Sequence, residues 1–205
     1  MSAPERLLLA AGARTVSALL CGALLAISIG AAAQTSGEPE VTVINGCHLW
    51  PYAQCPGADL RHADLVGKDL RGVDFTGAHL ARANLRSANM AGARLDQADL
   101  TAVRAYALNA PGASFREARM VGIDLEQARL FRADMTGADL RAANLEAVRA
   151  FLLGLAGANL RDADLQEGKF NNANFQNADL SGAKVRFTIF PGANFDGCTA
   201  CPSGW

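Results

Sequence analysis

The chain has 205 residues, half of them hydrophobic but only 6% aromatic, with 19 basic against 20 acidic side chains. That apolar content excludes wholesale disorder, which needs low hydrophobicity and a large net charge. A net charge of −1 supplies no global field for capturing nucleic acid or anionic lipid, and 20 glycines without a three-residue period exclude a collagen-like triple helix.

Residues 1–33 read as a secretory signal peptide. Arg6 and Arg14 sit among small and apolar residues, Val16 to Ile29 carry no charge, and Ala31 and Ala33 place small side chains where a signal peptidase cutting after Ala33 needs them. The alternative is a retained membrane anchor, but the uncharged run is shorter than the roughly 20 apolar residues that span a bilayer. Cys21 follows Leu20, where a lipoprotein signal requires a small residue. Cleavage removes Arg6, Arg14 and Glu5, taking the net charge from −1 to −2, and leaves Cys47, Cys55, Cys198 and Cys201. An even number of cysteines in an exported chain reads as disulfides.

Residues 34–57 form a linker and an N-terminal cap. Gln34 to Glu40 (QTSGEPE) have linker composition, Val41 to Ile44 suit a short strand, and Cys47 to Tyr52 bring His48, Trp50 and Tyr52 into a sequence otherwise poor in such rings.

From residue 58 to residue 197 the sequence keeps a strict period of five. Large apolar residues recur at Leu60, Leu65, Leu70, Phe75, Leu80 and onward to Phe195 without an insertion or deletion, 28 centres in all. Fifteen are Leu and six are Phe, and 19 of the 28 positions two residues earlier are Ala. The residue just before the centre is usually Asp, Asn or Arg, as in Ala58-Asp59-Leu60 and Ala173-Asn174-Phe175. A period of five matches neither a helix nor an ordinary strand. It fits a coil with one side per repeat and two of every five residues turned inward.

This pattern resembles the pentapeptide-repeat family, with its A-(D/N)-L-X-X consensus. The resemblance implies an all-β fold, a right-handed quadrilateral β-helix solenoid with four repeats per coil and about seven coils, preceded here by a signal peptide. Each coil of such a solenoid buries itself only against its neighbours. Where centres shrink to Ala105, Ala110 and Ala150, the residue two earlier grows to Val103, Leu108 and Val148, as a close-packed core requires. Lys68 is the one charge expected to point inward. Its place near an open end suggests that it reaches water past the cap.

Residues 198–205 form the C-terminal cap, with Cys198, Cys201 and a final Trp205. A disulfide needs α-carbons within roughly 7 Å, and the seven coils implied by the resemblance hold the two ends much further apart. The resemblance therefore implies Cys47 paired with Cys55 and Cys198 with Cys201, and no zinc site joining all four. A redox role for the C-x-x-C pair would normally use a helix N-terminus, and none is expected.

No catalytic arrangement, metal site or cofactor site stands out, and the chain reads as not an enzyme with no cofactor. His79 is expected to stack between Asp59 and Asp99, which reads better as a solvated charge ladder than as a metal site. The recurrent Asp residues belong to the repeat.

Sorting outward residues by side gives a sharper signal. The side centred on Leu70, Met90, Ala110, Leu130, Ala150, Phe170 and Phe190 carries five basic residues against one acidic, a local charge of +4, and the side centred on Phe75 and its equivalents carries −3. On the basic side Phe131 and Phe151 lie one coil apart with Leu152 beside them, ringed by Arg129, Arg132, Arg149 and Lys169. An apolar patch with a cationic rim has the composition of an interface anchor. The other reading is scattered surface aromatics.

Three functions follow for comparison. The first is an exported, periplasmic or secreted rod that is structural or binds a protein partner or itself, with no nucleic acid and no membrane after signal cleavage. The second is a binding module or enzyme accessory for a small ligand or polysaccharide, against which flat faces argue. The third is the DNA mimic that protects topoisomerases, implied by some members of the family, for which a near-neutral exported chain lacks the acidic surface. Export is checked by mass spectrometry of native protein, which should find a mature chain starting at Gln34 or within a few residues of it. A full-length cytosolic chain beginning at Met1 would refute it.

Overall fold

The structure is a computed structural model that describes residues 42–202. The signal peptide, the linker to residue 40, Val41 and Trp205 lie outside the described residues.

The chain enters as a hairpin of β1 (Thr42–Ile44) and β2 (Cys47–Leu49), antiparallel with Thr42 opposite Leu49 and Ile44 opposite Cys47. Asn45 and Gly46 make the two-residue turn, both with positive φ, the conformation that Asn-Gly supplies for tight hairpins. Sequence reading anticipated the first strand but not its partner.

Every other β pairing is a single-residue parallel bridge between residues twenty apart, from Gln54 with Asp74 to Asp179 with Thr199. Twenty residues are one coil and contain four five-residue repeats, so the fold is a four-sided β-helix. The column that starts at Gln54 takes seven such steps to Asn194. The all-β expectation therefore holds in the hydrogen bonding, while the sides are too short to count as strands. The ladder also begins ahead of residue 58. Ala53 and Cys55 already occupy the two inward positions, at 4% and 7% exposure.

Three backbone bonds recur in each repeat. The centre donates its N–H to a carbonyl 19 residues on, as from Leu60 to His79 at 2.8 Å. The second corner residue does the same, as from Gly57 to Thr76 at 2.8 Å, and the N–H three after the centre closes the corner, as from Ala83 to Leu80 at 2.8 Å. The second corner residue has positive φ in repeat after repeat, including Gly57, His62, Gly67 and Gly72. Such a turn favours Gly there, a requirement the sequence pattern only partly displays.

The core is a continuous axial column of centres and their inward partners. The three expected volume exchanges are buried: Val103 with Ala105, Leu108 with Ala110, and Val148 with Ala150. Lys68 is half-buried, and its Nζ donates to Thr42 Oγ1 at 2.8 Å. The inward charge thus holds the hairpin over the first coil. Asn45 Nδ2 adds a bond to the Asp59 carbonyl at 2.7 Å, and the Cys47–Cys55 disulfide, with α-carbons 5.6 Å apart, staples the same junction. At the other end Phe170, Phe175, Phe190 and Phe195 stack with ring centroids 5.1–5.6 Å apart. Cys198 and Cys201 are joined there, α-carbons 5.8 Å apart.

Two inward positions break the Ala preference for stated reasons. Buried Thr188 donates its hydroxyl to the Leu165 carbonyl at 2.8 Å, which satisfies its polar atom. Gly168 has no room for a methyl: a Cβ there would lie 2.6 Å from the Phe170 ring and 2.9 Å from the Leu165 carbonyl oxygen. Gly168→Ala, although it moves toward the repeat consensus, should destabilise the rod by roughly 1–3 kcal/mol through overpacking. Thermal or chemical denaturation against the parent chain measures it, and an unchanged or higher midpoint would contradict the packing argument.

Candidate functional site: a cationic face and its apolar corner

The residue before each centre shapes the surface. Where it is Asp or Asn, its side-chain oxygen accepts the backbone N–H two residues on and caps the corner. Asp99 accepts from Thr101 N–H at 3.0 Å, Asn144 from Glu146 at 3.1 Å, and Asp179 from Ser181 at 2.9 Å. This is an Asx turn, and it explains the Asp and Asn preference that sequence reading had put down to water-facing turns in general. These carboxylates are spoken for. The Arg61 guanidinium holds Asp59 down at about 2, and Arg71 and Arg141 lower Asp69 and Asp139 in the same way. Burial raises Asp99, but hydrogen bonds from the Thr101 hydroxyl and amide outweigh it.

His79 does bridge between Asp59 and Asp99. Both carboxylates are engaged by other donors, Arg61 Nε and Nη2 at 2.8 and 2.6 Å on Asp59 and the Thr101 hydroxyl at 2.6 Å on Asp99. Among the described residues no group of three His, Cys, Asp or Glu side chains is placed to hold a metal.

Arginine before the centre is balanced on the other sides. Arg94 pairs with Asp74 at 3.5 Å, Arg119 bridges between Asp99 and Asp139, and Lys184 reaches Asp164 at 3.1 Å. The acidic side is also knitted together: Arg116 Nε donates to Asp134 at 2.6 Å and its N–H to Asp96 at 3.0 Å. The basic side is different. Its column runs Asp69, Asn89, Asn109, Arg129, Arg149, Lys169, Ile189, with each bridged to the next. The Asx cap is lost over the last four, and the three cations stand one above another. Arg129, Arg149 and Lys169 are exposed, and among the described residues none of their side chains has a carboxylate partner. They line a shallow concavity of about 450 Å³, bordered by Ala107, Ala147 and Glu167. The flat-face expectation is corrected at this point of the rod.

The corner after this column changes in the same coils. Gly72, Gly92, Gly112 and Gly192 occupy its positive-φ position, but Arg132 and Leu152 replace them in two successive coils at φ 55° and 58°. Phe131 is 43% exposed, Leu152 equally so, and Phe151 is half-buried. The Arg132 guanidinium lies 5.0 Å from the Phe131 ring centroid, within cation–π range. Arg132 N–H donates to the Phe151 carbonyl at 2.9 Å, so the two corners are in register. The structure thus places all seven patch residues over two to three coils. Sequence reading missed one comparable feature: Phe187 is 67% exposed at φ 60°, under the Arg186 guanidinium, with Ile189 nearby in sequence and also exposed. Its place outside the core phase was the available signal.

The pentapeptide-repeats family profile matches residues 53–90, 69–101, 112–146 and 157–198, in eight copies. A four-sided coil of five-residue repeats is what that family defines, and this chain belongs to the pentapeptide-repeat family. Among solved structures it is similar to HetL, involved in heterocyst differentiation regulation in the cyanobacterium Nostoc sp. strain PCC 7120, at 24% identity over 71% of this chain and 84% of that one, TM-score 0.34. It is similar to QnrB1, a plasmid-mediated fluoroquinolone resistance protein, at 19% identity over 68% of this chain and 80% of that one, TM-score 0.45. A pentapeptide repeat protein of the Arabidopsis thaliana thylakoid lumen is 24% identical over 64% of this chain and 67% of its own, TM-score 0.24. These likenesses concern the fold alone. No curated protein sequence is significantly similar to the chain.

Acid should weaken the rod by a definite route. Asp59, Asp69 and Asp139 titrate below the ordinary carboxylate value when folded, so their stabilisation is complete above the unfolded value. It is lost as pH falls from about 4, the unfolded value for Asp, through the folded values, about 2 for Asp59. Melting temperature should therefore be flat near neutrality and fall below about pH 4. The triple variant Asp59→Asn, Asp69→Asn, Asp139→Asn keeps the caps' oxygen acceptors and should show a shallower acid limb. An equally steep limb would show that these pairs do not set the acid sensitivity.

Proposed function

We propose that this chain is an exported, non-enzymatic rod that presents the Phe131–Phe151 corner to a protein partner or to a second copy of itself. The observation that carries the reading is the break in one corner column. Four of its coils place Gly at the left-handed position, while two successive coils place Arg132 and Leu152 there beside Phe131 and Phe151. A bulky side chain in that conformation costs backbone energy, and an exposed aromatic buries no surface in return. The arrangement benefits a complex rather than the isolated rod. Arg and aromatic residues are the side chains enriched at interface hot spots.

Export follows from the tripartite N-terminus and fits two intrachain disulfides. The DNA-mimic reading has little support, because the acidic groups are interleaved with Arg94, Arg104 and Arg119 along the ladders. Changing Phe131 and Phe151 together to Ser should leave the melting temperature within a few degrees of the parent, because both residues are outside the core. It should weaken self-association in sedimentation or partner recovery in a pull-down with a periplasmic or secreted fraction. A double variant that keeps every association of the parent would sink the reading.

A further inference from the structure

The concavity beside this corner is lined by neither Phe131 nor Phe151, and it is built from a different set of residues. Arg129, Arg149 and Lys169 are its cations, bridged in sequence order, so they repeat at the parallel strand spacing of about 4.8 Å. Ala107 and Ala147 leave open space beside them, and Glu167 is the one carboxylate among the lining residues.

Two costs are concentrated here. Each of these three positions would cap its corner if it were Asp or Asn, as Asp69 and Asn89 do in the same column, accepting from Arg71 and Ala91 N–H at 3.4 and 3.3 Å. Like charges directly opposite one another across parallel neighbours also repel. Elsewhere on the rod a cation at this position faces a carboxylate in the next coil, as Arg94 faces Asp74 and Lys184 faces Asp164. Here the column offers Asn109 above and Ile189 below. The counter-charge is missing from the folded chain itself, in the one place where the surface is also concave.

We infer that this groove binds a short oligoanion, a linear ligand whose phosphoryl or carboxylate groups repeat at about 5 Å and pair with Arg129, Arg149 and Lys169 in turn. Guanidinium groups suit either anion because their fork of N–H donors matches the two oxygens of a carboxylate or phosphoryl group. The inference is independent of the docking reading, which rests on the corner and not on the groove.

The test uses the full mature chain at low ionic strength, with inorganic tripolyphosphate in one calorimetric titration, trigalacturonate in a second and acetate as a monovalent control. Saturable one-to-one binding of tripolyphosphate or of trigalacturonate, with acetate failing to saturate, is the expected result, and the two arms tell a phosphoryl source from a carboxylate source. The double variant Arg129→Asn, Arg149→Asn should bind at least about tenfold more weakly, the loss expected for two charge-assisted contacts. It should melt at or above the parent's temperature without ligand, because Asn restores the corner caps and removes the repulsion. Phe131→Ser with Phe151→Ser should bind as the parent does. Failure of both oligoanions to saturate the parent, or equal binding by the Asn double variant, would overturn the inference.

Discussion

The structure depends on one backbone constraint. Each centre donates its N–H to a carbonyl 19 residues along the chain, and each inward partner's carbonyl accepts from the N–H 21 residues on. These bonds fix the coil at twenty residues and the side at five. With sides that short, only two residues in five can point inward, one at mid-side and one near the corner. The corner then requires a residue at positive φ every fifth position. Composition follows: Leu or Phe on the axis, Ala beside it, and Gly, Asn or small residues at the turn. No coil owns a core by itself, so stability is a sum over neighbouring coils.

Because the register is rigid, surface chemistry becomes columnar. A side chain at one position has the same position of the coil above and below as its nearest lateral neighbours, about 4.8 Å away. Columns that alternate carboxylate, amide and guanidinium neutralise themselves, as the column of Asp74, Arg94, Ser114 and Asp134 does. Asp and Asn contribute twice, once by capping their own corner and once by bonding the next coil, as Asp124 does with Glu126 N–H and with Asn144 Nδ2. The column of Arg129, Arg149 and Lys169 does neither, and the neighbouring corner carries Phe131 and Phe151 in the same coils. Two departures from the local rules coincide on one stretch of one side, which is where a surface evolved for binding would be expected to break them.

The ends are treated differently because they expose different liabilities. The first coil is covered by a hairpin held through Lys68, Asn45 and the Cys47–Cys55 bond. Lys68 is acceptable in an inward position only because the cap brings Thr42 to it; a charge there in a middle coil would have no partner. The last coils rely on Phe170, Phe175, Phe190 and Phe195, whose rings fill the prism more fully than Leu. Burial nonetheless declines toward this end: Val185 and Phe195 are only partly covered.

The sequence alone determined the repeat phase, the identity of the axial residues, the compensating pairs such as Leu108 with Ala110, and the columns formed by residues twenty apart. It could do so because a strict period leaves a single way to stack the coils, so that sequence separation becomes spatial distance. The patch was legible for the same reason, since residues 131 and 151 differ by one coil. Only the tertiary structure decided how each local exception is resolved. Gly168 is needed because the Phe170 ring folds back over it, Thr188 is tolerated because the Leu165 carbonyl is within reach, and Lys68 turns toward a hairpin whose second strand carries no periodic signal. The concavity along Arg129, Arg149 and Lys169 likewise had no counterpart in the pattern. A period specifies which residues meet, but the depth between them depends on how far individual side chains extend and which hydrogen bonds hold them, and those are settled by packing in three dimensions.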